Sequence, residues 1–230
     1  MNRVFACSDL HGHYKVFKSI LQKIDETDRV VVLGDVVDRG EDGFRILKEI
    51  LNDSRFILLK GNHEDMFYDD IKEWQKWEGR SELHCYNGGD PTFWAWRQDG
   101  ENFGWLHTLN SLPDHFYYTN KDKKQLILTH AGYTPPLNPL DDDILWNRSH
   151  VHDDYDGFEE YIIHGHTPIP HILNAHSNKA WKILAEEGPL WYCGGRKCCL
   201  DCGTWITGVT FLLDLDTFET IRCGEEEIDG

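Results

Sequence analysis

The sequence predicts an α/β fold in which two mixed β-sheets pack face to face with helices outside, as one domain over residues 1–230. Two observations predict it. The first 65 residues alternate short apolar runs with helix-spaced apolar residues, and strand-helix alternation implies a parallel sheet with right-handed crossovers. Past residue 180 the apolar segments become short and are separated by Gly or Asp, the pattern of a second, mainly antiparallel sheet.

Taken in order, residues 4–7 (VFAC) read as a short buried strand. Val16, Phe17, Ile20, Leu21 and Ile24 then recur at helix spacing. Residues 30–33 form a second strand, Phe44, Leu47 and Leu51 mark a second helix, and residues 56–59 a third strand. Residues 64–112 are rich in aromatics, with Phe67, Ile71 and Trp74 at helix spacing, and Asn87-Gly88-Gly89 is a turn or loop signal. This region reads as helices joined by a loop, and its aromatics as core rather than a substrate platform. Strand patterns return at residues 126–128 and 161–163, and continue at 181–184, 197–200 and 209–215. The acidic residues 225–230 are expected to fray.

Composition narrows the function classes. Hydrophobic residues make up 40% of the chain, enough for the core of one large domain. No apolar run approaches the roughly 18 residues of a membrane span, and the N-terminus lacks a signal-peptide stretch, so a cytoplasmic location is the expectation. The net charge of -17 opposes a nucleic-acid partner, since polyanions bind through Lys and Arg. Bound cations and a few arginines can still reverse that field locally for a phosphoester. Seven cysteines, an odd number, suggest reduced thiols. The C-x-x-C pair Cys199 and Cys202 reads as buried strand residues rather than a zinc site.

The chemistry lies where five apolar runs end. VFAC leads to Asp9 and His11, VVVL to Asp35, Asp38 and Arg39, FILLK to Asn62, His63 and Glu64, LILT to His130, and YII to His164 and His166. In open α/β sheets, ligands bind outside the carboxyl ends of the strands, so five such ends gather these side chains around one point. Carboxylates, imidazoles and an amide oxygen suit manganese, iron or zinc. Asp9 and His11 are two apart, so an extended backbone turns both to the same side. Each element alone has an ordinary reading: a histidine in the core, Asn62 in a turn, Glu64 or Asp65 as a helix cap. Five in order are hard to obtain by chance. His164 reads as local packing, His84 and His150 receive no role, and Asp141-Asp142-Asp143 reads as a solvated loop or helix start.

Together D-x-H-G, G-D-x-V-D-R-G, G-N-H-E, H-A-G and G-H-T resemble the signature set of the calcineurin-like metallophosphoesterases. More narrowly they resemble the phosphoprotein phosphatase branch, including bacteriophage-type and bacterial Ser/Thr phosphatases. The resemblance runs from about residue 4 to residue 216, with Asn87-Gly88-Gly89, Leu145-Trp146-Asn147-Arg148 and Leu200-Asp201-Cys202-Gly203 as weaker landmarks. It implies a four-layer fold and two divalent metal ions, manganese first, with iron or zinc as alternatives. Asp9 and His11 would bind the first ion, Asp35 would bridge, and Asn62, His130 and His166 would complete the second. Arg39 and Arg148, with Asn62, would hold the substrate phosphate. His63 would be the general acid, oriented by Asp38, and a hydroxide between the ions the nucleophile. The implied substrate is a phosphoprotein or a small phosphomonoester. A symmetric dinucleoside polyphosphate hydrolase is the alternative, and a catalytically dead scaffold the rival of another class. Glu41 stands where some nucleotide-directed relatives carry proline, and Cys202 where bacteriophage-like relatives often have threonine. Oligomeric state is left open.

Overall fold

The computed structural model describes residues 2–133, 144–152 and 157–228. Its first third is the predicted alternation: β1 (Val4–Cys7), α1 (Tyr14–Lys23), β2 (Arg29–Val32), α2 (Gly43–Asn52) and β3 (Phe56–Leu58). These strands pair in parallel, Val4 opposite Arg29 and Val30 opposite Phe56. Four helices follow, α3 (Asn62–Trp77), α4 (Glu82–Tyr86), α5 (Asp90–Gln98) and α6 (Gly104–Asn110). Then come β4 (His115–Thr119), β5 (Gln125–Thr129), β6 (Tyr161–His164), α7 (Ile169–Ile172), α8 (Asn178–Ala185), β7 (Leu190–Tyr192), β8 (Lys197–Cys199), α9 (Thr204–Thr207), β9 (Val209–Asp214) and β10 (Thr220–Gly224).

Two five-stranded sheets result, ordered β10-β9-β1-β2-β3 and β4-β5-β6-β8-β7. The period-two alternation of a strand explains how they are covered. Ala6 and Val31 point into the layer between the sheets, where they meet Leu126, Leu128, Ile163 and Cys198. Phe5, Cys7, Val30 and Val32 point the other way, onto Val16, Phe17 and Ile20 of α1 and Phe44, Leu47 and Ile50 of α2. Strands buried on both faces read as continuous apolar runs, which is why VVVL was so legible.

The later chain departs from the sequence expectation in four places. Residues 181–184 are helical: Trp181 and Ala185, one turn apart, bury one face of α8, and Ser177 Oγ caps it by accepting the Ala180 N–H. A short apolar run does not distinguish a strand from a buried helix turn. Strand β9 pairs antiparallel with β1, Phe5 opposite Asp214, so it belongs to the first sheet. The second sheet is mixed, as the fold class expects, and not mainly antiparallel as the segments past residue 180 suggest, because β5, β6 and β8 run parallel between antiparallel edges β4 and β7. The acidic end is docked: Glu225 meets His13 at 2.7 Å, and Glu227 meets Ser19 and Lys23 at 2.8 Å each.

Most of the aromatic region is core, with Phe67, Phe93 and Trp96 fully buried, although Trp77 is 72% exposed and Trp94 48%. Cys198, Cys199 and Cys202 are buried in the apolar interior, and burial drives the first two thiols far above their usual range. Asp141-Asp142-Asp143 lies outside the described residues.

Candidate active site

The carboxyl ends of β1, β2, β3, β5 and β6 converge, and each delivers its expected residues. Asp9, His11, Asp35, Asn62, His63, His130 and His166 are all at most 4% exposed. Their backbone is unusual. Asp9, His11, Asp35, Asp38, Arg39 and His166 have φ between 42° and 68°, half of the twelve described non-glycine residues with positive φ. Such conformations cost on the order of 1–3 kcal/mol each and persist only where the surroundings over-determine them.

Here the two strand-end loops lock each other. Asp9 N–H donates to Gly34, His11 N–H to Asp35 and Gly40 N–H back to His11, at 3.0–3.2 Å. Buried Glu64 draws the third loop in: its carboxylate accepts the N–H groups of Asp35, Val36 and Gly61 at 2.8–2.9 Å. Burial, then the Asp35 charge, push Glu64 up to about 7, against the pull of those amides. The cap reading of Glu64 therefore holds, since Gly61 precedes α3, but the same carboxylate also fixes the Asp35 loop. Gly34 is required at its position: its φ is +92°, and a Cβ would lie 2.6 Å from the Gly61 backbone.

The ligand-type atoms form two groups that share Asp35. Asp35 Oδ2 faces His11 Nε2 at 3.7 Å and His63 Nε2 at 3.8 Å, while Oδ1 faces His130 Nε2 at 3.4 Å. Asn62 Oδ1 lies 2.9 Å from both His130 Nε2 and His166 Nδ1, which are 3.2 Å apart. Ligands about 2.1 Å from a common cation are roughly 3–3.5 Å from one another, so the second group has the spacing of a coordination set. Asp9 borders the first group, its Oδ1 4.0 Å from His11 Nε2, and it accepts Ser8 Oγ and the His166 N–H.

The imidazoles are oriented from behind. His11 Nδ1–H donates to the Val37 carbonyl at 3.0 Å and His130 Nδ1–H to the Leu33 carbonyl at 2.7 Å. Each leaves Nε2 facing the centre, the arrangement usual for metal-ligating histidines. The electrostatics also fit cations. Burial, aided by Asp35, pushes Asp9 up to about 6. Burial would likewise raise Asp35, but His130 and then His63 outweigh it and hold that carboxyl well below its usual range. Burial opposes charge on His130, yet Asp35 pushes it up to about 9. Adjacent buried carboxylates need compensation, which a cation or a proton on a neighbouring imidazole can supply.

Beside the first group, His63 Nδ1 lies 2.7 Å from Asp38 Oδ2. The guanidinium of Arg39 reaches His63 Nε2 at 3.2 Å and lies over the Trp205 indole, 5.0 Å from the ring centroid. Arg148 is exposed and lines a groove of about 320 Å³ with Thr167, the neighbour of His166, and with His171.

Four features escaped sequence reasoning: His84, Trp205, the multiple loop contacts of Glu64, and Asp70. His84, for which the sequence indicates no role, is fully buried and bridges Asp38 and Asp70. The nearest sequence signal was its place three residues before Asn87-Gly88-Gly89. His164 packs locally, pairing with the Tyr192 hydroxyl at 2.7 Å.

The sequence model of the calcineurin-like phosphoesterases matches residues 2–195. The chain belongs to this family. Among its relatives, Ser/Thr-protein phosphatase 2 of Salmonella typhimurium is 27% identical over 163 residues, 64% of this chain and 69% of that protein. Phosphatase 1 of the same organism is 25% identical over 179 residues, 72% and 79% of the two chains. A symmetrical bis(5'-nucleosyl)-tetraphosphatase of Buchnera aphidicola is 26% identical over 136 residues, 57% and 45% of the two. A solved structure described as a candidate diadenosine tetraphosphatase superposes with a TM-score of 0.66 at 16% identity, covering 97% of this chain and 93% of that one. That likeness extends the fold of this calcineurin-like phosphoesterase over nearly its whole length. No helix among the described residues is long and apolar enough to cross a membrane.

Proposed function

We propose that this phosphoesterase hydrolyses phosphomonoesters with two divalent cations, and that its substrates are phosphoserine and phosphothreonine in proteins. One observation carries the reading: the two oxygens of Asp35 each face a different imidazole group within one buried pocket. Asp9 and His11 would hold the first cation, Asn62, His130 and His166 the second, and Asp35 would serve both. When bound, the pair, with manganese as the first choice, supplies Lewis acidity and lowers the pKa of water so that a nucleophile exists at neutral pH.

The chain's own groups do the rest. Arg39 and Arg148 offer guanidinium forks that match phosphate oxygens, and the Asn62 amide adds a further polar contact. His63 delivers a proton from Nε2 to the departing alkoxide, while Asp38 accepts its Nδ1–H and keeps that face forward. No protein nucleophile is required.

His63 also meets the spatial condition of a ligand, since His11, Asp35 and His63 form one close trio. The acid reading is preferred because the resemblance gives the first cation Asp9, leaving His63 beside it.

A second reading, symmetric hydrolysis of dinucleoside tetraphosphates, is favoured by relatives that bear that name. The protein phosphatase reading rests on relatives matched over more of their length, 69% and 79% against 45%. Turnover of a phosphoserine peptide and of diadenosine tetraphosphate by the manganese-loaded protein separates the two. The proposal expects the peptide to have the higher kcat/KM, and the reverse order overturns it.

A further inference from the structure

The region of helices α3 to α5 does more than close the core. It reaches the reacting centre through a line of polar side chains that is buried from Asp70 inward. His84, on α4, places Nε2 2.9 Å from Asp38 Oδ1 and 3.0 Å from Oδ2, behind the carboxylate that orients His63. Its Nδ1 lies 2.6 Å from Asp70 Oδ2, on α3. Asp70 is in turn held by Arg80 Nε, at 3.0 and 2.8 Å from its two oxygens, and by the Ser81 N–H at 2.7 Å. The line runs Arg80, Asp70, His84, Asp38, His63, with carboxylates set between nitrogen bases. His84, Asp38 and Asp70 are 0% exposed.

Both ring nitrogens of His84 face carboxylates. Only the doubly protonated imidazole donates from both, so the geometry itself calls for a buried imidazolium. Packing admits little other than this ring. Phe67 lies 5.7 Å away centroid to centroid, and a Cβ on Gly89 would overlap the imidazole. The Asp38 backbone is fixed by the same region: its N–H donates to Thr92 Oγ1 at 2.8 Å, and the Arg39 N–H donates to Gly88 at 2.9 Å. Asp38 has a φ of +68°, so its loop is strained and depends on these contacts.

We propose that His84 is a positioning residue for the proton transfer: it clamps Asp38 from behind so that Asp38 aims the His63 imidazole at the leaving oxygen. The proposal rests on the reading of His63 as general acid. It also gives the aromatic helical region a second role, as the frame of an ion line that ends at the chemistry.

Leaving-group dependence tests it. A nitrophenyl phosphate departs without needing a proton, whereas an alkyl phosphate needs one. In the manganese-loaded protein, His84→Ala is expected to lower kcat on an alkyl phosphate by about 10-fold or more, the scale of supporting-residue losses at such sites. Its loss on nitrophenyl phosphate should stay within about 3-fold, and metal content should not change. With His63→Asn already present, adding His84→Ala should cost the alkyl phosphate no further kcat, because the two act as one unit. Equal losses on both esters, or an undiminished second loss in the double variant, would overturn the proposal. If His84→Ala does not fold, His84→Gln keeps one N–H toward Asp38, and a smaller loss with the same ester selectivity is expected. An unselective loss there overturns the proposal too. A leaving-group-independent effect of His63→Asn alone would sink the acid reading, and the His84 proposal with it. Selective His63→Asn beside unselective His84→Ala sinks only the latter.

Discussion

The two sheets contribute to the site in different ways. The first sheet, through residues 9–63, supplies Asp9, His11, Asp35, Asp38, Arg39, Asn62 and His63 from three consecutive parallel strands. The second supplies His130 from β5 and His166 from β6, with Arg148 lying between them in the chain. Five of the six strained site residues belong to the first sheet's loops, and only His166 to the second. The first half is a set of interlocked loops that, on the proposed reading, holds ligands, acid and phosphate arginine together. The second closes the site with imidazoles and an exposed arginine. On the proposed reading, coordination is shared between the sheets, while the proton-transfer residues His63 and Asp38 belong to one of them.

Variants in each half can break this division. Asp35→Asn removes the group both halves share and should abolish metal content and activity together; retention of two ions per chain would remove Asp35 from the bridging role. His63→Asn should lower turnover by about 100-fold or more with metal content unchanged, the loss expected of a missing general acid. A fall in metal content instead would assign His63 to the His11–Asp35 group as a ligand. His130→Ala should leave one bound ion where the wild type holds two, and metal analysis that still found two would place the second cation elsewhere.

Smaller effects distinguish the halves by their backbone. Gly34→Ala meets both a positive φ and the Gly61 backbone, and should lower stability by at least about 1–3 kcal/mol in thermal or denaturant unfolding. Gly195→Ala, with φ +79° but nothing within 4 Å of an added Cβ, should cost only about 1–2 kcal/mol. Equal costs would show that the Gly34 crossing is less tightly packed than it looks. The smallest effect is in pH. Burial opposes charge on His84, but Asp38 and then Asp70 push its pKa up to about 9. A raised pKa stabilises the fold fully below the unfolded value of 6.5, and the contribution is lost as pH rises through about 9. The stability gap between wild type and His84→Gln should therefore shrink between pH 7 and pH 10. A gap that stays constant would contradict the imidazolium.

The same contrast explains what was legible in the sequence. The first sheet's strands and helices are local patterns, each strand followed by its polar residues, so the convergence of Asp9, His11, Asp35 and Asn62 could be read from the strand ends, and their ligand roles from the family resemblance. Strands β4, β7 and β10 were not read, because edge strands of three to five half-exposed residues carry little period-two contrast. The 209–215 strand was recognised but put in the wrong sheet, since its partner β1 lies some 200 residues away and no local pattern encodes that pairing. His84 was missed for the same reason. Its partners are 46 and 14 residues distant, and a histidine on a short helix looks like any surface histidine until the fold closes over it.

The central claim is that the convergent strand ends hold two cations that make this a phosphomonoester hydrolase. It is tested most directly by hydrolysis of an aryl phosphate after chelation and again after manganese is added, with bound metal counted in the same samples. The account predicts loss of activity on chelation and its return with two ions per chain. Activity that survives complete chelation, or a folded protein inactive with manganese, iron and zinc alike, would contradict it.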